Sequence, residues 1–96
     1  MAVQTSTPVD LSKYIDMRFF GGRPHIRGRR VTVAIIAYNH RKNGWTLAET
    51  AYNFTLSEGE VLAALLYYDE HKAVIDAQEQ EAIRQFNALA DQHGGS

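Results

Sequence analysis

The chain has 96 residues, a length that fits one domain. Hydrophobic residues make up 45% of it, which can supply a core, and the absence of cysteine excludes disulfides and thiolate metal sites. No apolar run approaches the roughly 18 residues that a membrane-spanning helix requires, and the N-terminus lacks the pattern of a signal peptide. We therefore expect a cytoplasmic protein that needs neither metal nor other cofactor.

The net charge of −1 conceals two halves of opposite sign. Residues 1–48 contain eight basic and two acidic side chains, a net +6, whereas residues 49–96 contain two basic and nine acidic ones, a net −7. A basic surface attracts phosphate and an acidic one repels it. Either the basic half binds an anionic polymer, or the two halves neutralise each other within the fold or across a dimer.

Residues 18–30, RFFGGRPHIRGRR, hold five arginines and no acid. Residues 24–26 and 31–33 are predicted to form short extended pieces joined by a turn at Gly28. Ile26, Val31 and Val33 share an inward face if Thr32 points outward. The sequence thus predicts a small, arginine-rich β-hairpin.

The arginines on or beside this turn are candidates to bind DNA phosphates, because each guanidinium can fork onto a phosphate. They are Arg23, Arg27, Arg29 and Arg30. The alternative is that one of them, Arg30 above the others, is structural and pairs with a carboxylate such as Asp16 or Glu49.

Helices are predicted from residue 33 onward. A first helix covers about 33–43 and ends at Gly44. Capping boxes at Thr46 and Ser57 then predict a short helix over about 47–53 and a longer one from Ser57. A helix, a tight turn and a second helix are the layout of a helix-turn-helix. However, the first turn of the second helix contains Glu58 and Glu60, which would repel DNA phosphates. We therefore do not expect this helix to contact bases in the major groove.

The helix that begins at Ser57 has apolar residues along one face. Tyr68 on this helix and Trp45 before it are the aromatic residues of interest. The stripe comprises Val61, Leu62, Leu65, Leu66 and Tyr68. Tyr68 and Trp45 are expected in the core.

The C-terminal third stays favourable for helix from Val61 to Gln92. One helix over residues 57–91 would be about 52 Å long, but a domain of this size is only about 30–35 Å across. The segment must therefore break and fold back, or project towards a partner. The residues expected to meet a partner are the apolar Ile83, Phe86 and Leu89 and the acidic Glu79, Glu81 and Asp91.

The histidines do not indicate an enzyme. His25, His40, His71 and His93 lack the spacing of metal ligands, and Ser57 is best placed as a helix cap. We therefore expect a protein without catalytic residues.

Residues 22–33, GRPHIRGRRVTV, resemble domain-of-unknown-function family 433, the VapB-like antitoxin group. The resemblance continues through residues 44–54 and through ALLYY at residues 64–68, and it covers roughly residues 10–80. Three positions depart from the family pattern: Met17, Arg29 and Val74. The resemblance implies a helix-turn-helix or winged-helix-like fold. It also implies an antitoxin whose core binds operator DNA and whose C-terminal segment blocks a PIN-like ribonuclease toxin.

We predict a mainly α fold: a small helix-turn-helix domain, homeodomain-like or winged-helix-like, with a short N-terminal β-hairpin and a long C-terminal helix. Its parts are a flexible segment (1–9), the domain (10–76), an amphipathic helix for partner or dimer contact (77–92) and a flexible tail (93–96). The leading hypothesis is a non-enzymatic antitoxin that is a homo-oligomer. The alternative is a self-associating assembly module that binds no nucleic acid.

Overall fold

A computed structural model describes residues 10–94, with side chains described up to residue 91. Two short strands, β1 (Ile15–Asp16) and β2 (His25–Ile26), are followed by four helices: α1 (Val33–Asn43), α2 (Leu47–Phe54), α3 (Glu58–Glu70) and α4 (Lys72–Gly94). This confirms the predicted mainly α fold with an N-terminal β-hairpin and a long C-terminal helix. The predicted flexible segment 1–9 and residues 95–96 lie outside the described residues, while α4 extends into the predicted tail.

The ends of α1 and α2 and the start of α3 lie where the local signals predict them. Gly44 ends α1 with a left-handed φ of 65°, a conformation that glycine adopts without a steric penalty. Thr46 and Ser57 each form a full capping box, so both α2 and α3 begin at their predicted caps. The three-residue turn between these helices produces the predicted helix, turn and helix.

The hairpin differs from its predicted form. β2 pairs antiparallel with β1, with Ile15 opposite Ile26, a pairing that the sequence did not predict. Residues 24–26 and 31–33 do approach each other, through a bridge between His25 and Thr32 and a 3.1 Å hydrogen bond from Ile26 N to Val31 O. The condition given for a shared inward face, that Thr32 points outward, is not met, because Thr32 is buried and its hydroxyl caps α1.

The core lies where α1 and α3 pack together, with β2 against both. Its largest fully buried apolar side chains are Ile26, Val33, Ile36, Val61 and Ile75. The predicted stripe of α3 is only partly correct, because Leu62 and Leu66 are exposed while Ala63 and Ala64 are buried. Of the two aromatic residues expected in the core, Tyr68 is buried, whereas Trp45 is only half-buried and packs against Phe54.

The helix that was predicted to start at Ser57 is broken at His71, whose φ of −126° and ψ of 27° are not helical. No glycine or proline marks this position. The His71 ring stacks on Tyr67, with 4.1 Å between ring centroids. Helix α4 begins directly after this break, and Ile75 in its first turn is 1% exposed and lies in the core.

Beyond its first turns, α4 leaves the core. All described residues from Ile83 to Asp91 are exposed. Of the two predicted alternatives, folding back is therefore wrong and projection is observed. Helix α4 also runs without interruption across the boundary predicted between residues 76 and 77.

Candidate functional site

Arg27 holds the β-hairpin together. Its guanidinium donates to the backbone oxygens of Ser12 and Ile15, both at 3.0 Å, and to the Asp16 carboxylate at 3.3 Å. Asp16 also accepts hydrogen bonds from the side chain and backbone of Arg18. The hydrogen bonds from Arg18, its side chain first, and from the Met17 amide hold the pKa of Asp16 well below its usual range. Arg27 is thus committed to internal contacts.

Arg23 joins the turn at Phe20–Gly22 to helix α4. Its Nε donates to the Phe20 carbonyl at 3.0 Å, and its Nη1 contacts the Glu79 carboxylate at 3.1 Å. The sequence assigned Arg23 to DNA and Glu79 to a partner protein, but the structure pairs them with each other. This ion pair is one place where the basic half of the chain meets the acidic half.

Arg29 and Arg30 are exposed at the tip of the hairpin. Arg29 approaches Glu60, whose side chain is 15% exposed, at 3.5 Å. A contact of this length contributes little. Arg30 has no acidic partner within residues 10–94. The prediction that Arg30 is the structural arginine, paired with Asp16 or Glu49, is therefore wrong.

The tip of the hairpin is shaped by Gly28. The Arg29 amide donates to the Ile26 carbonyl at 3.0 Å, which closes a four-residue turn. Gly28 is third in this turn and has a φ of 76°, a value that disfavours any side chain. The turn directs two consecutive arginines away from the core.

These arginines border a groove of about 440 Å³ that extends to the turn between α2 and α3. The groove is lined by Arg29, Arg30, Val31, Ile35, Asn53, Phe54 and Thr55. The turn at residues 26–30, which we call the arginine turn, and the helix-turn-helix thus present one continuous surface. An extended anion that contacts the arginines would lie beside the turn between the two helices.

The first turn of α3 is acidic, as its sequence requires. Glu60 is held in the capping box through Ser57 and also faces Arg29, while Glu58 is exposed. Carboxylates at a helix N-terminus favour the helix dipole but repel phosphate. The exposed cations beside the helix-turn-helix therefore come from the hairpin and not from the start of α3.

The base of α4 is fixed by Asp76, whose importance the sequence did not reveal. Its Oδ1 accepts hydrogen bonds from Tyr38 at 2.7 Å and Tyr68 at 2.9 Å, and Lys72 contacts its Oδ2 at 3.2 Å. The two tyrosine hydroxyls lower the pKa of Asp76. This cluster joins the first turns of α4 to α1 and α3.

The outer part of α4 carries the predicted partner-binding residues. Ile83 is 53% exposed, Phe86 is 70% exposed and Leu89 is 56% exposed. We call these three residues the α4 stripe. Among the acidic residues, Glu81 pairs with Arg84 one turn along the helix, and Asp91 is exposed.

The described part of the chain contains neither a metal-binding cluster nor a membrane-spanning helix. No cluster of three or more His, Cys, Asp or Glu side chains capable of holding a metal ion occurs there. None of its helices combines the length and apolar character needed to cross a bilayer.

Comparison with known proteins gives one match. Residues 14–68 match the model of a family described as a protein of unknown function (DUF433). Searches of curated proteins and of solved structures find no match. The matched segment runs from the start of the hairpin to Tyr68 and so spans β1 to α3, but not α4. Because it covers more than half of the chain, this protein belongs to the DUF433 family.

Proposed function

We propose that this protein is a non-enzymatic, cytoplasmic antitoxin-like module. Helix α4 binds and neutralises a PIN-like ribonuclease toxin, and the arginine turn beside the helix-turn-helix binds operator DNA. The observation that carries the proposal is the α4 stripe, which projects from the core and has no apolar partner within the described residues.

The α4 stripe fits the groove of a partner protein. Ile83, Phe86 and Leu89 recur every three residues, so they lie along one side of the helix. Exposed apolar side chains at such spacing are typical of a helix that docks into an apolar groove. Asp91 lies near the end of the same helix and favours a partner with a basic rim. Glu79, which was predicted to contact the partner, is left out of this surface because its carboxylate pairs with Arg23.

The DNA-binding half of the proposal depends on Arg29 and Arg30. Both are exposed, and both border the groove that reaches the turn of the helix-turn-helix. The glutamates of α3 oppose base reading, so the contacts would be mainly to phosphates. Such contacts give an affinity that falls steeply with salt.

A second candidate, a self-associating assembly module, is favoured by two ion pairs within the chain. Arg23–Glu79 and Arg29–Glu60 join the basic half to the acidic half. In this reading the basic and acidic halves of the chain pair with each other and not with DNA. The α4 stripe would then be buried against the α4 stripe of a second copy. A two-fold interface of this kind uses the same patch on both chains.

The partner is tested by co-purification from the native host, with the full chain and with a Phe86→Ala, Leu89→Ala variant. We expect a PIN-like protein in stoichiometric amount with the full chain and its loss with the variant. Tyr52→Ala is the matched control, because Tyr52 is an exposed aromatic side chain on α2, away from the stripe. Recovery of the protein alone, as a dimer that the double variant dissociates, would instead favour the assembly module.

The DNA half is tested by fluorescence anisotropy of a labelled duplex over a salt series. Each lost phosphate contact reduces the slope of log affinity against log salt by about 0.9, so Arg29→Ala, Arg30→Ala should reduce it by about 2 units. Lys42→Ala, an exposed cation at the far end of α1, is the control. Absence of duplex binding at low salt would refute this half.

A further inference from the structure

Ile75, Asp76 and Glu79 attach the first turns of α4 to the rest of the chain. Ile75 lies in the core, Asp76 accepts the two tyrosine hydroxyls, and Glu79 forms an ion pair. These three residues follow the break at His71, whereas their partners on α1, on α3 and before β2 all precede it. The α4 of a second copy can therefore make the same contacts on this core.

The break between α3 and α4 depends on one exposed residue. Hydrogen bonds of helical spacing span it, because the His71 amide donates to the Tyr67 carbonyl at 3.0 Å and the Ile75 amide donates to the His71 carbonyl at 2.9 Å. The φ of −126° and ψ of 27° at His71 would have to change to the helical values of about −63° and −42°. This change at a single residue would join α3 and α4 into one helix.

The apolar residues on the two sides of the break share one register. Every seventh residue from position 61 is apolar or aromatic: Val61, Tyr68, Ile75, Ala82 and Leu89. Residues with this spacing lie along one face of a continuous helix that packs against a partner. A helix made continuous at His71 would carry Ile75 about 10 Å beyond Tyr68 on that face. The sequence is thus compatible with one long helix whose outer half packs on another molecule.

We propose that two copies of this chain exchange α4. Each chain straightens at His71 and places its Ile75, Asp76 and Glu79 on the core of the other copy. Such an exchange repeats the contacts of the closed chain, so it requires no new complementary surface. It differs from pairing of the α4 stripes, in which each α4 stays on its own core. It rests neither on a toxin nor on DNA.

The hinge is tested with His71→Ala and His71→Gly, measured by sedimentation equilibrium. Both variants remove the ring that stacks on Tyr67, and they differ in helix propensity. Alanine is favoured over glycine in a helix interior by about fivefold, so the two hinges of a dimer give up to about 25-fold. We expect His71→Ala to dimerise more tightly than His71→Gly by up to this factor.

The matched control for the hinge is Ala88→Gly. Ala88 is exposed on α4 and is helical in the closed chain, and it would remain helical after exchange. Glycine at this position therefore lowers the helix propensity equally in both forms. We expect the dimer affinity of Ala88→Gly to equal that of the unmodified chain.

The origin of α4 in the dimer is tested by NMR on the unmodified chain and on His71→Ala. Equal amounts of ¹³C-labelled and unlabelled protein are unfolded in urea, mixed and refolded, and the dimer is isolated. We expect isotope-filtered NOEs between Tyr38 of one chain and Asp76 of the other, because their side chains meet at 2.7 Å. Pairing of the α4 stripes would instead give NOEs between the Phe86 rings of the two chains.

Three results would overturn the proposal. They are a monomer for both hinge variants at every concentration, equal dimer affinity of His71→Ala and His71→Gly, and Tyr38–Asp76 NOEs confined to one chain. The variant Phe86→Ala, Leu89→Ala separates the exchange from the toxin proposal. It should lose the toxin but keep the exchanged dimer, because neither residue contributes to the exchanged contacts.

Discussion

The attachment of helix α4 to the core can be tested at two isoleucines, because one of them is buried and the other is exposed. Ile75 is 1% exposed and packs in the core, whereas Ile83, about two turns further along, is 53% exposed. Replacing each with alanine removes the same atoms from the same helix. We therefore expect a large loss of stability for Ile75→Ala and almost none for Ile83→Ala.

The size of the difference follows from burial. Isoleucine to alanine removes three carbon atoms, each contributing about 0.8 kcal/mol when buried, or about 2.4 kcal/mol in total. The cavity that remains adds to this, so we expect Ile75→Ala to lower the free energy of unfolding by about 3 kcal/mol. For the exposed Ile83 the change should stay within about 0.5 kcal/mol.

The assay is urea unfolding followed by circular dichroism and by the fluorescence of Trp45, the only tryptophan. Trp45 packs against Phe54 of α2, so it reports the unfolding of the helical core. Each variant is measured at two protein concentrations about a hundredfold apart, because the stability of a dimer depends on concentration.

Two results would refute this reasoning. Equal losses for both variants at all concentrations would mean that the outer part of α4 packs on its own core. A negligible loss for Ile75→Ala would mean that Ile75 does not anchor the helix. A loss for Ile83→Ala that appears only at high concentration would instead indicate pairing of the α4 stripes of two chains.

Two further predictions concern the hairpin. Arg27→Ala removes two hydrogen bonds to backbone oxygens and a contact to Asp16. Because the Arg27 side chain is half-exposed, we expect the free energy of unfolding to fall by only about 1 kcal/mol. This corresponds to a melting temperature lower by about 4–8 °C. Arg30→Ala should leave the melting temperature unchanged in the same thermal scans, and equal losses would contradict the assignment of Arg27 as the structural arginine. The pKa of Asp16 is lower in the folded chain than its unfolded value of about 3.9, so its contribution to stability is present above about pH 4 and is lost as the pH falls through the folded-state pKa. Urea unfolding at pH 7, 5 and 3 should show this loss, and Asp16→Asn should be less stable at pH 7 and less sensitive to acid; an unchanged pH profile would show that Asp16 is not responsible.

The sequence alone determined the extents of α1 and α2 and the start of α3. Their signals are local: a cap at Thr46 or Ser57 satisfies amides within the same turn, and Gly44 ends α1 through its own backbone freedom. It also located the arginine turn at Gly28 and the exposed apolar residues of the last helix, because composition and periodicity reveal these without knowledge of distant contacts.

Only the tertiary structure decided which of the candidate arginines are held by internal contacts. Arg27 is selected over Arg30 because β1 and β2 bring Asp16 and the Ile15 carbonyl beside it, and strand pairing depends on residues about ten positions apart. The packing of Phe19 and Phe20 against the buried His25 also appears only in the folded structure, because in the sequence the two phenylalanines carry only an ordinary apolar signal.

The break at His71 also required the fold. Nothing in residues 57–92 disfavours one continuous helix except Gly59 in the first turn. The end of α3 is set by two long-range demands: Ile75 must reach the core, and Asp76 must meet the hydroxyls of Tyr38 and Tyr68. Local propensity specifies where a helix can form, whereas burial and hydrogen bonds between distant residues specify where it must turn and which of its faces remain open to a partner.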